Sequence, residues 1–191
     1  MRLFIGCSSS ENIDRKYYDD CKLFLEDLFL SEHDLVFGAC DRGIMGLSYN
    51  IAMNNESDVM GIYPNFYKNS AKNLDCKKIM VDTVNHRTEK AIEESDVLLF
   101  LPGGFGTVYE LFVSLELRRA YEFCKPIIIY NSCGYFDKLF EFLELCYDDG
   151  FASRGMMDYY YVCKDSKDCL DYIDRCYGVD TKRKKRVKDI K

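Results

Sequence analysis

Short apolar runs alternate along this chain with segments whose apolar residues recur at helical spacing. Small-residue or glycine-rich turns follow the first, second and fifth of these runs. The 191 residues suit one domain with a full core. Together these observations predict an α/β fold, a doubly wound, Rossmann-like parallel sheet with helices on both faces. In such folds ligands sit at the carboxyl ends of the strands, so the three turns are expected to share one site.

Arg2–Gly6 reads as an apolar strand leading into Cys7–Ser8–Ser9–Ser10, a loop of small residues. One of these serines is expected to cap a helix over Glu11–Leu30, where Cys21, Phe24, Leu25, Leu28 and Phe29 recur at helical spacing. Leu35–Phe37 is a second strand, Gly38–Gly43 a second turn, and Ile44–Asn54 a helix with Gly46 at a point of close packing. Val59–Tyr63 is a third strand, closed by Pro64. The polar stretch Asn65–Asp75 is a loop with a helical turn, followed by a fourth strand at Lys78–Val81. His86–Glu94 is a charged helix with Arg87 at its start, and Val97–Leu101 is the fifth strand. A long helix over Thr107–Phe123, a strand at Pro126–Tyr130, a turn at Asn131–Gly134 and a helix over Phe136–Asp148 follow. Tyr159–Cys163 and Lys167–Cys176 complete the pattern as a last strand and helix.

The turn after the fifth strand holds three glycines within four residues, Gly103–Gly104–Phe105–Gly106, and runs directly into a helix. Glycine permits close backbone approach and torsions closed to other residues. The first N–H groups of a helix lack internal partners and carry the positive end of its dipole, which makes an anion site, most simply for phosphate. A tight structural turn is the alternative. The pattern is neither GxGxxG nor a Walker loop, since no GK[ST] follows. Glu110, one turn into the helix, either acts on another part of the same ligand or is an exposed carboxylate favoured by the dipole.

Composition excludes several classes. No apolar run approaches the length of a membrane span, and the opening MRLFIGCSSS lacks the basic-then-apolar form of a signal segment. The ten cysteines include no CxxC pair and do not cluster with the two histidines, His33 and His86, so no metal is expected. Unpaired cysteines scattered through apolar patterns fit a reducing cytoplasm. The net charge is −6, but the last ten residues carry +6 and the remainder −12. An acidic body argues against nucleic acid as a partner. Residues 1–177 are therefore read as a single domain and 178–191 as a basic, disordered tail.

Pro102–Gly103–Gly104–Phe105–Gly106–Thr107–Val108–Tyr109–Glu110 matches PGGxGTxxE in full. In this respect the chain resembles the Lonely Guy family of nucleoside-monophosphate phosphoribohydrolases, formerly mislabelled lysine decarboxylases. Ile5–Ser9, Gly43–Ile44–Met45–Gly46, Ser95–Asp96, Lys125–Pro126 and Gly134–Tyr135–Phe136–Asp137 resemble further family segments, and the similarity covers residues 3–175. The family carries an Arg-Lys pair where this chain has Arg87–Thr88. By its residues alone, Arg87 would be a helix-surface partner for Glu89 or Glu94; the resemblance implies a site role.

Other departures are Gly38–Ala39–Cys40–Asp41 in place of a glycine run, a 63–78 segment without a Pro-Arg-Glu-like piece, and Glu116 and Leu117 where Thr and Trp are common. The resemblance implies that these changes lie near base recognition. It also implies hydrolysis of AMP or an N6-substituted AMP without a cofactor, with Arg87 and Glu110 catalytic. Ser8, Arg87, Gly103, Gly104, Phe105, Gly106, Thr107 and Glu110 would bind substrate. A homodimer packed through the long helix is implied as well; the face Phe112, Leu115, Leu117 and Tyr121 is compatible with it and could equally be core. The alternative is a non-catalytic nucleotide-binding module, favoured by Thr88 and the altered second loop. Lysine decarboxylation lacks support, because nothing marks a Schiff-base lysine.

Overall fold

The computed structural model describes residues 1–176; the basic tail expected at 178–191 lies outside the described residues. Strands β1 (Arg2–Gly6), β2 (Asp34–Phe37), β3 (Val59–Pro64), β4 (Lys77–Val81), β5 (Val97–Phe100), β6 (Ile127–Tyr130) and β7 (Tyr161–Cys163) form one sheet. Their order is β4-β3-β2-β1-β5-β6-β7, and every adjacent pair is parallel. Helices α1 (Arg15–Leu28), α2 (Gly43–Asn54), α3 (Val84–Glu94), α4 (Phe105–Arg119) and α5 (Asp137–Asp148) cover it, with a further helical run over 166–176.

Strand alternation decides which helix covers which face. Leu3, Ile5, Leu35, Phe37, Val97, Leu99, Ile128 and Tyr130 point to one side, where they meet Phe24 and Leu28 of α1, Ile44 of α2, and Cys169 and Ile173. Phe4, Val36, Leu98, Phe100, Ile127 and Ile129 point to the other, against Ala91 and Ile92 of α3 and Leu111 and Leu115 of α4. Both faces of the inner strands β1, β2, β3, β5 and β6 are thus buried, as in doubly wound sheets, while the edge strand β4 is largely exposed. The chain runs outward from β1 to β4 and then returns to place β5 on the other flank of β1. This reversal opens a crevice at the carboxyl ends of β1 and β5, and it is there that the serine loop and the glycine turn lie.

Several element ends differ from expectation, each for a local reason. The first helix is capped by Asp14, whose carboxylate accepts from the Lys16 N–H at 3.0 Å, and not by a serine. The Ser8 and Ser10 hydroxyls instead accept from N–H groups two residues on, which holds 8–12 in turns and delays α1 to Arg15. Helix α3 begins at Val84 because the Thr83 hydroxyl caps the His86 N–H at 3.1 Å. Helix α4 starts at Phe105 and stops at Arg119, where Tyr121 turns the chain with φ 60°. Gly46 is at the close contact expected of it: an added Cβ would lie 2.2 Å from the Asp41 carbonyl oxygen.

Two of the short segments noted in the sequence serve the frame. Asp96 accepts from the Arg2 N–H at 2.8 Å, and its own N–H donates to the Arg2 carbonyl at 2.7 Å, registering β5 on β1. Lys125 donates to the carbonyls of Ile92 and Glu93 at the end of α3, the helix that carries Arg87. Among the described residues, no helix is long and apolar enough to cross a membrane.

Candidate active site

The glycine turn owes its composition to packing. None of Gly103, Gly104 and Gly106 has a positive φ, so access to unusual torsions is not what they supply here. A Cβ on Gly103 would lie 2.1 Å from Thr107 Oγ1 and 3.0 Å from the Ser8 nitrogen, so glycine is required for the turn to close. Gly104 and Gly106 have nothing within 4 Å of a Cβ position and leave the approach to the helix start open. Gly104 is the N-cap of α4 and offers no side-chain acceptor. The first backbone bond there runs from the Val108 N–H to the Gly104 carbonyl at 3.0 Å, so the N–H groups of 105–107 precede the internal ladder.

The serine loop is clamped from both sides. The Ser8 N–H donates to the Pro102 carbonyl at 3.0 Å, and the Ser8 carbonyl accepts from Met45 N–H in the first turn of α2 at 3.0 Å. Gly43, with φ 60°, lies beneath this loop; a Cβ there would be 2.6 Å from the Ser10 carbonyl oxygen. In the second turn Ala39 adopts φ 54°, a left-handed conformation that costs a non-glycine residue roughly 1–2 kcal/mol.

Arg87 and Glu110 meet between α3 and α4. Arg87 Nη2 donates to Glu110 Oε1, and the side chains are only 12% and 6% exposed. Glu110 is thus a buried carboxylate, not an exposed one, and Arg87 pairs with neither Glu89 nor Glu94. Burial pushes the Glu110 carboxyl above its ordinary range, and the Arg87 guanidinium opposes part of that rise. Among the described residues, Arg87 Nε is buried without a hydrogen-bond partner.

A cleft of about 390 Å³ gathers these pieces. Ser8, Arg87, Gly104, Phe105, Gly106, Thr107 and Glu110 line it; Gly103 stands behind the wall, against Thr107. The lining also includes Cys7, Cys40 and Met45, from segments already noted in the sequence, and Arg42, Tyr67, Ser70 and Val84, which the sequence did not single out. Arg42 was legible as a basic residue at the end of the second turn. Tyr67 and Ser70 belong to the 65–75 loop, where no periodicity points to a site.

These positions bear on three further readings of the sequence. Thr88 faces the interior, fully buried, with its hydroxyl on the Val84 carbonyl at 3.2 Å, and it does not line the cleft. Glu116 is exposed and paired with Arg119, and Leu117 packs toward the core, so neither lines the cleft. Of the residues read as dimer face or core, Leu115 and Leu117 belong to the core, Phe112 is 36% exposed and Tyr121 lies beyond the helix end.

The chain matches the model of a family described as possible lysine decarboxylase over residues 45–173. A cytokinin riboside 5′-monophosphate phosphoribohydrolase of Arabidopsis thaliana is 26% identical, over 99% of this chain and 92% of that protein. A probable enzyme of the same name from Oryza sativa subsp. japonica is 25% identical, over 91% and 70%. Among solved structures, the molybdenum cofactor carrier protein of Chlamydomonas reinhardtii superposes with TM-score 0.69 at 14% identity, covering 93% of this chain and 98% of that one. The molybdenum cofactor binding protein of Rippkaea orientalis does so with TM-score 0.68 at 18% identity, covering 91% and 95%. At those identities the structures share the fold alone. The family match spans more than half of the chain and includes the glycine turn, Arg87 and Glu110, and on that ground the chain belongs to the Lonely Guy family, the family of possible lysine decarboxylases.

Proposed function

We propose that this protein hydrolyses the N-glycosidic bond of a nucleoside 5′-monophosphate, AMP or an N6-substituted AMP, to free base and ribose 5-phosphate. The observation that carries this reading is a buried carboxylate, Glu110, paired with Arg87 in the same cleft as the uncapped start of α4. Its relatives are named for that reaction on cytokinin riboside 5′-monophosphates. The N–H groups of 105–107 and the α4 dipole hold the 5′-phosphate. Binding at that remote group positions C1′ and contributes to lowering the barrier there.

As the C1′–N bond breaks, positive charge develops on the ribose. Glu110 stabilises that charge and takes a proton from the water whose oxygen bonds to C1′. The electron pair of the broken bond leaves with the base, which gains a proton. Arg87 keeps Glu110 ionised against its burial and orients it. No step calls on a metal or redox group. The test is a panel of AMP, IMP, GMP, CMP, UMP and isopentenyl-AMP assayed for ribose 5-phosphate. Release from AMP or isopentenyl-AMP is expected, and no release from any of the six overturns the reading.

A non-catalytic nucleotide-binding module on the same scaffold is the second reading. What favours it is the second loop, where Gly38–Ala39–Cys40–Asp41 stands in place of a glycine run and Cys40 lines the cleft. Nucleotide binding without base release is its distinguishing result.

A homodimer belongs to the same proposal. Phe112 of α4 and Phe142, Leu145 and Phe151 on and after α5 stand exposed, 36% to 84%, and a second copy packed there covers them. Light scattering after size exclusion is expected to give twice the chain mass. A strictly monomeric protein at micromolar concentration removes this part.

A further inference from the structure

We propose that Tyr135 is a positioning residue: its hydroxyl sets the orientation of the Gly103–Gly104 peptide so that the Gly104 N–H donates to an anion at the start of α4. The inference rests on the phosphate-holding part of the proposed function. It adds a donor that lies outside the helix and a residue, remote from the cleft, that aims it.

The Tyr135 hydroxyl donates to the Gly103 carbonyl at 2.9 Å. The peptide that follows this carbonyl is trans, so its N–H, on Gly104, points opposite to the C=O. Tyr135 does not line the cleft whereas Gly104 does, so holding the carbonyl on the tyrosine side turns the amide to the cleft side. That N–H donates to no protein acceptor among the described residues. Nothing lies within 4 Å of a Cβ position on Gly104, so a ligand oxygen has room to approach. With the N–H groups of 105–107 beyond it, the amide extends the row of donors by one.

The phenol is itself fixed. Cys133 and Gly134, with φ 50° and 71°, turn the chain sharply before Tyr135. A Cβ on Gly134 would lie 2.6 Å from Asp137 Oδ2, so glycine is needed for this turn. Asn131 ties it down, donating to Asp137 at 2.7 Å and accepting from the Phe136 N–H at 2.7 Å. The Tyr135 ring stands edge-on to Tyr17 of α1 at 5.1 Å and to Phe136 at 5.0 Å. A residue that only filled space would not need its oxygen. Here the oxygen makes the hydrogen bond to the glycine turn.

The test uses Tyr135→Phe in the full chain, with thermal unfolding to show that the fold is kept. Loss of one aimed hydrogen bond is expected to raise KM for AMP about three- to tenfold, with kcat changed less than about twofold. A second readout is the Gly104 amide in glycine-15N-labelled protein, assigned by its absence in Gly104→Ala. Inorganic phosphate is expected to shift this resonance downfield in the parent and to lose most of that shift in Tyr135→Phe. A parent that releases no base but shows the Tyr135-dependent shift removes the hydrolase reading and keeps this inference. An active parent whose Gly104 amide ignores phosphate, or whose KM is unchanged in Tyr135→Phe, overturns the inference and leaves the hydrolase reading standing. Should Tyr135→Phe unfold, a parent Gly104 amide that ignores phosphate still overturns the inference, and Tyr135→His, which keeps a ring donor, takes the place of the Phe variant as the folded comparison.

Discussion

Replacing Glu110 by Gln is expected to lower kcat for base release from AMP by roughly a thousandfold or more, with KM changed less than about threefold. The two side chains have the same shape, and the amide oxygen of Gln still accepts from Arg87, so the fold and the phosphate end of the cleft are kept. What disappears is the negative charge. That charge sits in a buried position, only 6% exposed, where electrostatic stabilisation of a developing cation is far stronger than in water. A Gln side chain is also no base, so the attacking water keeps its proton. Steady-state release of adenine, with nucleotide binding measured separately by calorimetry, checks both halves. A Gln variant that liberates adenine at the parent rate would falsify the catalytic role of Glu110.

Removing Arg87 acts on the same carboxylate from the other direction, and its effect depends on pH. In the parent, burial raises the Glu110 pKa and Arg87 holds part of that rise back. Arg87→Ala leaves only the burial, so the pKa climbs further and a larger fraction of Glu110 is protonated at neutral pH. Since the reaction uses the carboxylate, the acid limb of kcat/KM is expected to move to higher pH, with activity partly recovered as pH rises.

Stability has the opposite sign. A carboxyl whose folded pKa lies above its unfolded value binds more protons folded than unfolded, so stability falls as pH rises through that interval. Breaking a buried pair by removing one partner costs about 3–5 kcal/mol while the remaining charge stays ionised. The melting temperature of Arg87→Ala is therefore expected to fall furthest below the parent at neutral and alkaline pH. The gap should narrow toward acid, where Glu110 is neutral. Thermal unfolding of both proteins from acid to mildly alkaline pH gives the comparison; a gap independent of pH means that the pair is not what shifts Glu110.

Glu110 and Arg87 also show how far the sequence reached. The match from Pro102 to Glu110 identified the carboxylate, and its place one turn into a helix was legible from the glycine turn before it. Burial was not. An exposed carboxylate near a helix start and a buried one have the same local sequence, and only the packing of α3 against α4 decides between them. The partner of Arg87 lies 23 positions away, whereas local spacing offered Glu89 and Glu94. Glu94 is instead engaged by Arg2 and Lys90.

The doubly wound parallel sheet, its two covered faces and the meeting of three turns at one sheet end follow from alternation and handedness, and they were readable before any coordinates, whereas the strand order was not. The open helix start after the glycine turn was readable too, since its glycines and free N–H groups are adjacent in sequence. What tertiary structure alone decided concerns contacts between distant segments. It placed Tyr67 and Arg42 in the cleft lining, turned Thr88 away from it, and brought the Tyr135 hydroxyl to the Gly103 carbonyl across 32 positions. The physical reason is the range of the forces. Torsional preference and hydrophobic periodicity act within a few residues and are written in the local sequence. The burial of a charge or the aim of an amide depends on which distant segment excludes the water.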